Sequence, residues 1–128
     1  MAEIYNIKLT ATEKEKILAQ IEKYTYTNNQ GCKKWKKSKN SLTSDGYGRL
    51  RVTFRGKRIW LRAHKISYYI HNDCPEIGNH HISHLCHKRR CVNPIHLSRE
   101  PAQINSNRES CRLDGACHGH HGYMRCII

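Results

Sequence analysis

No run of this sequence approaches the roughly 20 consecutive apolar residues that a membrane-spanning helix requires. Nor does the stretch from Met1 to Leu9 offer the uninterrupted apolar segment of an export signal, since Glu3 and Lys8 lie within it. Both absences point to a soluble chain in a reducing, intracellular setting, nucleus or cytoplasm. Carboxylates are scarce: 10 acidic residues stand against 23 Lys and Arg, a formal net charge of +13. Such an excess calls for a polyanionic partner. The second half of the chain has neither an internal repeat nor a low-complexity tract, which excludes a repeat array. What is plentiful is cysteine, seven in all, and histidine, ten in all. A chain of 128 residues buries only about two-thirds of the surface it exposes when unfolded, so a covalent or metal staple is valuable. Without an export signal, thiolates and imidazoles together favour zinc over disulfides.

Ile17, Leu18 and Ile21 recur at helical spacing, which predicts an amphipathic helix over Thr12 to Tyr24, and Thr12 with Glu15 reads as its capping box. Asn28 to Gly31 break the pattern. Residues 1–30 are thus expected as a helix and linker, and 31–128 as one compact domain. From Gly46 the period changes to two: Leu50, Val52 and Phe54 alternate with Arg49, Arg51, Thr53 and Arg55. A turn at Gly56-Lys57 and a return strand from Arg58 to Arg62 complete a hairpin, one face of which is a row of arginines. A two-stranded ribbon fits the DNA major groove, where arginine can grip phosphates or guanine. Arg49, Arg51, Arg55 and Arg62 are therefore the expected contacts to double-stranded DNA. The basic run Lys33 to Lys39, with Trp35 inside it, adds a second cationic segment. Ala63 to His71 suits a helix that buries Ile66 and Ile70. The fold class expected is α+β, a small zinc-stabilised domain with an antiparallel sheet.

Cys86, Cys91 and His96 recur every five residues, and a Cys₃His site needs one ligand more. Cys32 is the best-placed cysteine left over. Cys111, Cys117 and Cys126 form a second set with one of His118, His120 or His121; His120 is preferred because two residues separate it from Cys117, enough to chelate without strain. Two structural zinc ions are expected, and Cys74 remains as a small core residue.

The string from His84 to Leu97 (HLCHKRRCVNPIHL), with Asn105 beyond it and the Cys111 to Cys126 cluster after that, resembles the His-Cys box homing endonucleases, members of the His-Me finger (ββα-metal, HNH-like) nucleases. Gly31-Cys32, Trp35, Gly46-Tyr47-Gly48 and Ala63-His64-Lys65 extend the likeness over roughly residues 31–126. The resemblance implies a strand ending at His84, a zinc-pinned loop, a short second strand through His96, and a helix starting near Pro101 that bears Asn105. It implies a metal-dependent DNA endonuclease in which His84 activates water and Asn105 holds one catalytic Mg²⁺ or Mn²⁺. An imidazole with a reference pKa of about 6.5 can accept that proton at cellular pH, and magnesium takes an amide oxygen readily. His80, His81 and His87 are alternative bases, yet only His84 stands two residues before the first zinc-ligand cysteine. The family's phosphate-binding arginine aligns with Ile59, so Arg58, or else Arg62, is expected in its place. Dimerisation through a long C-terminal tail is not expected, because the sequence stops two residues after Cys126. The other reading of the same residues is a non-catalytic zinc-stabilised DNA-binding module.

Overall fold

The computed structural model describes residues 3–37 and 41–127. Among these, helices α1 (Ala11–Lys23), α2 (Ala63–His71) and α3 (Ala102–Asp114) alternate with strands β1 (Thr25–Thr27), β2 (Lys33–Trp35), β3 (Arg49–Phe54), β4 (Lys57–Arg62), β5 (His81–His84) and β6 (Leu97–Glu100). The strands form three antiparallel hairpins, β1-β2, β3-β4 and β5-β6, rather than one sheet. No described helix is long and apolar enough to cross a membrane.

Helix α1 begins before the expected start. Thr10 is the N-cap, and its hydroxyl and the Glu13 carboxylate satisfy each other's backbone N–H groups. The box is Thr10 with Glu13, not Thr12 with Glu15, because the helical backbone already includes Thr12. The expected linker is instead the loop of the β1-β2 hairpin, and α1 is no appendage. Its Ile17 and Ile21 join Ile4, Tyr5 and Leu9 in the same core as Leu50, Val52, Ile66, Tyr69, Ile82 and Leu97. Trp35 is likewise core, 1% exposed, with the backbone of Gly48 laid against its ring so closely that a Cβ there would come within 2.6 Å. The aromatic inside the basic run is therefore unavailable to a ligand. Its neighbour Lys33 pairs with Glu22, and Ser38 and Lys39 lie outside the described residues.

Alternation in the β3-β4 hairpin turns Leu50, Val52 and Leu61 inward. Register pairs Arg49 with Arg62, Arg51 with Trp60 and Thr53 with Arg58, so these residues share the outer face. The guanidiniums of Arg49 and Arg51 lie 4.3 and 5.6 Å from the Trp60 ring centre. Arg55 leaves the row. The turn is Arg55-Gly56, with φ of 49° and 85°, because a tight two-residue turn that matches strand twist needs positive φ at both positions. From there Arg55 forks onto the Glu13 carboxylate with bonds of 2.9 and 3.1 Å.

The strand β5, the strand β6 and helix α3 form a ββα unit. The short strand follows His96 rather than running through it, since Pro94–His96 is a 3₁₀ turn capped by the Asn93 side chain. Pro101 is the N-cap of α3, one place earlier than a first helical residue, and its carbonyl accepts the N–H groups of Ile104 and Asn105.

Candidate active site and zinc centres

Strand β2 extends along residues 90–92: Trp35 N–H donates to Arg90 O at 2.8 Å and Val92 N–H to Lys33 O at 2.7 Å. That pairing carries Cys32, one residue before β2, to Cys86, Cys91 and His96. The four ligand atoms lie within 4.8 Å of one another, and all four residues are buried. His96 Nδ1 is 3.6 Å from Cys32 Sγ and 3.5 Å from Cys91 Sγ. Zinc–sulfur and zinc–nitrogen bonds at tetrahedral angles put sulfur and nitrogen about 3.6 Å apart. The donor set therefore fits zinc. Burial holds the Cys32 thiol above its ordinary pKa, and the Cys86 sulfur beside Cys91 raises that thiol too. Packed thiols cannot all ionise without a cation among them.

The second set also converges, with Cys111, Cys117, His120 and Cys126 within 4.8 Å. His120 Nε2 is 3.6 Å from Cys111 Sγ and 3.4 Å from Cys126 Sγ. Of the three nearby histidines, His118 instead meets Asp114 at 2.8 Å, and His121 is exposed. Backbone N–H groups of His118 and Cys126 point at Cys111 and Cys117 sulfurs at 3.4 and 3.3 Å, as donors to thiolates do. Ile127 N–H donates to Leu85 O, which brings the last cysteine back beside β5. Cys74 packs at the edge of the main core.

A cleft of ≈ 580 Å³ is lined by Tyr47, Arg62, His64, His81, His84 and Asn105 among others. The His84 ring is buried, and its Nε2 lies 3.0 Å from the carbonyl oxygen of Cys91. A carbonyl only accepts, so Nε2 carries the proton and Nδ1 is left as the acceptor. The residue whose carbonyl fixes the tautomer is itself in the first Cys₃His set. Burial is the main cause that lowers the His84 pKa to about 4, which keeps it a neutral base. Asn105, on the second turn of α3, receives the Ser83 hydroxyl on Oδ1 at 2.7 Å. One lone pair of that amide oxygen stays available, which fits a single bond to a hard cation.

Arg58 is not among the residues lining this cleft, whereas Arg62 is. The reason is reach: four strand residues span about 13 Å, and Arg58 is at the turn end of β4. His80 and His81 line the cleft but not the adjoining groove, and His87 lines the groove but not the cleft; His84 and Asn105 line both.

Three residues of the site are not singled out as functional groups by the sequence alone. Tyr47 and His64 stack with His84, the two histidine rings 4.4 Å apart and Tyr47 5.1 and 5.7 Å from them. Burial, and then the His84 ring, holds His64 in the neutral form. Arg108 spans Glu100 on β6, Met124 O and Cys126 Sγ, tying α3 to the second Cys₃His set. The family likeness at Gly46-Tyr47-Gly48 and Ala63-His64-Lys65 marks the two segments that bring in the rings, without giving either ring a role, and nothing marks Arg108.

Residues 22–127 match the family model described as the zinc-binding loop region of homing endonuclease. The chain belongs to this family. Its zinc-like ligand sets and its α+β architecture are those of a zinc-stabilised His-Me finger domain. Comparison with curated proteins gives no match.

Proposed function

We propose that the protein is a DNA endonuclease that hydrolyses a phosphodiester bond with a water activated by His84. The observation that carries this is the placement of His84: a buried imidazole, its Nε2 against the Cys91 carbonyl, lines the cleft that Asn105 also lines. His84 Nδ1 takes the proton as the water attacks phosphorus in line, and the 3′ oxygen leaves on the opposite side. Arg62, on the cleft wall, binds a non-bridging phosphate oxygen. Asn105 Oδ1, steadied by Ser83, would hold a Mg²⁺ or Mn²⁺ ion, which would supply charge compensation for the leaving oxygen. Tyr47 and His64 keep the His84 ring from turning. Arg49, Arg51 and Arg62 on the outer face of β3-β4 grip the duplex.

The deciding measurement is plasmid cleavage by zinc-loaded protein with and without added Mg²⁺. Cleavage is expected only with Mg²⁺. His84→Ala should lose about 10²–10⁴-fold in rate, the usual worth of a general base, and Asn105→Ala should lose most cleavage at ordinary Mg²⁺, both with DNA binding and zinc content kept. Raised Mn²⁺ should partly restore Asn105→Ala and not His84→Ala. Parental rates in both variants would overturn the roles given to His84 and Asn105, and a parent that cuts no DNA with Mg²⁺ would leave the non-catalytic DNA-binding module as the reading.

A further inference from the structure

The loop that closes the first zinc set, Cys86-His87-Lys88-Arg89-Arg90-Cys91, carries cations that neither the zinc nor the base requires. They gather at a second depression of ≈ 360 Å³, lined by Lys34, Gly46, His87, Lys88, Arg89, Arg90 and Arg112. Among the described residues no carboxylate lines it. Glu109 meets Arg112 from outside that lining. Two further guanidiniums are oriented by carbonyls: Arg89 Nη1 donates to Asp45 O at 2.8 Å, and Arg90 Nε donates to Trp35 O at 2.8 Å. A carbonyl fixes a guanidinium's direction and leaves both its charge and most of its N–H groups for a ligand. His87, with a left-handed backbone at φ 61°, adds a buried Nε2 that has no hydrogen-bond partner among the described residues. Cations ordered by carbonyls, with N–H groups to spare, are the chemistry of an oxyanion site.

The depression is continuous with the cleft. His87, Arg89 and Arg112 also line a groove of ≈ 240 Å³ that includes His84 and Asn105. Arg89 and Arg62 flank the same tyrosine, their guanidinium carbons 5.5 and 4.9 Å from the Tyr47 ring centre. Both are tied to Asp45 as well, Arg62 through its carboxylate and Arg89 through its carbonyl.

We propose that this loop, with Lys34 and Arg112, is a second phosphate-binding site, which takes a backbone phosphate of the DNA next to the one in the cleft. The inference rests on the nuclease reading above and assigns the zinc-closed loop a role in holding substrate. Lys88 and Arg89 are exposed and outside both zinc sets, so they can be changed without disturbing either. Phosphates held by Arg62 and by Arg89, both beside Tyr47, would set the strand near His84.

The test is the salt dependence of binding to a 30-base-pair duplex by full-length, zinc-loaded protein without Mg²⁺. Removing one phosphate-binding cation lowers the slope of log affinity against log salt by about one. Lys88→Ala/Arg89→Ala is expected to lower it by about one, the worth of the single phosphate the site holds, and to weaken binding at low salt by at least tenfold. Arg89→Lys should retain the slope. Lys16→Ala/Lys23→Ala on α1, which removes the same charge elsewhere, should leave slope and affinity nearly parental. Equal effects of the two double variants would overturn the site, since net charge alone would then account for binding. A parent that binds no duplex would overturn the nuclease reading, and the second site with it.

Discussion

His84 has a chain neighbour two residues on, Cys86, that belongs to a zinc set, and a carbonyl partner, Cys91, that belongs to the same set. Any zinc charge adds to the effect of burial, and both favour the neutral ring. Because its folded pKa of about 4 lies below the unfolded value of about 6.5, the unfolded chain binds more protons between those limits. Stability from this group is therefore fully present above pH 6.5 and is lost as pH falls toward 4. Imidazole NMR of the zinc-loaded protein should find His84 still neutral, with the proton on Nε2, at pH 5.5. A titration midpoint near 6.5 would contradict the buried-base geometry. Ser83→Ala removes the hydroxyl that orients Asn105 and should raise the Mg²⁺ concentration needed for half-maximal cleavage several-fold, with maximal rate less affected. Equal Mg²⁺ requirements would show that Asn105 needs no such support.

At the scale of elements, two contacts hold the parts in place. Glu100 and Arg108, with side chains 0% and 3% exposed, pair between β6 and α3. Removing one partner leaves a buried charge unanswered, so Glu100→Ala should cost about 3–5 kcal/mol in denaturant unfolding. It should also loosen the second zinc, because Arg108 Nη1 bonds Cys126 Sγ at 3.3 Å. The other contact is the Glu13 carboxylate, which caps α1 and grips Arg55. Thr10→Ala should cost about 1 kcal/mol by removing the N-cap hydroxyl. Arg55→Ala is expected to leave the salt dependence of DNA binding unchanged, whereas Arg49→Ala/Arg51→Ala should lower it. Equal slopes for the two would remove the distinction between the turn and the outer face.

At the scale of the whole molecule, the chain is held together around two Cys₃His sets, one joining β2 to the start of the ββα unit and the other joining α3 to the C-terminal segment. Structural zinc sites in small peptides contribute on the order of 10–16 kcal/mol of apparent binding free energy. Stripping zinc with a strong chelator should therefore abolish the cooperative fold, and zinc alone should restore it on refolding. Elemental analysis of folded protein is expected to return two zinc ions per chain. One or none would leave a set of packed thiols unexplained.

Much of this was legible locally. Hydrophobic period alone marks α2 over Ala63–His71 and the inward face of β3, and the spacing of Cys86, Cys91 and His96 marks a metal loop, because helices, strands and chelating loops each impose their own repeat. Where several local solutions competed, sequence pattern chose wrongly. Thr12 and Thr10 both head a plausible capping box, and backbone geometry selects Thr10. Gly56-Lys57 and Arg55-Gly56 both fit a tight turn, and strand register selects the second, which carries Arg55 off the ribbon to Glu13. Trp35 reads as an exposed aromatic among lysines until the core closes over it. Contacts between segments distant along the chain were decided by tertiary structure alone. Arg62 rather than Arg58 reaches the cleft because of where β4 ends, and Tyr47 and His64 stack on His84 because three separate segments meet there. The cations of the Cys86–Cys91 loop are aimed by carbonyls from Asp45 and Trp35. Spacing along a chain determines which ligands can share an ion, but the direction of a base or a guanidinium depends on a partner that only the folded backbone supplies.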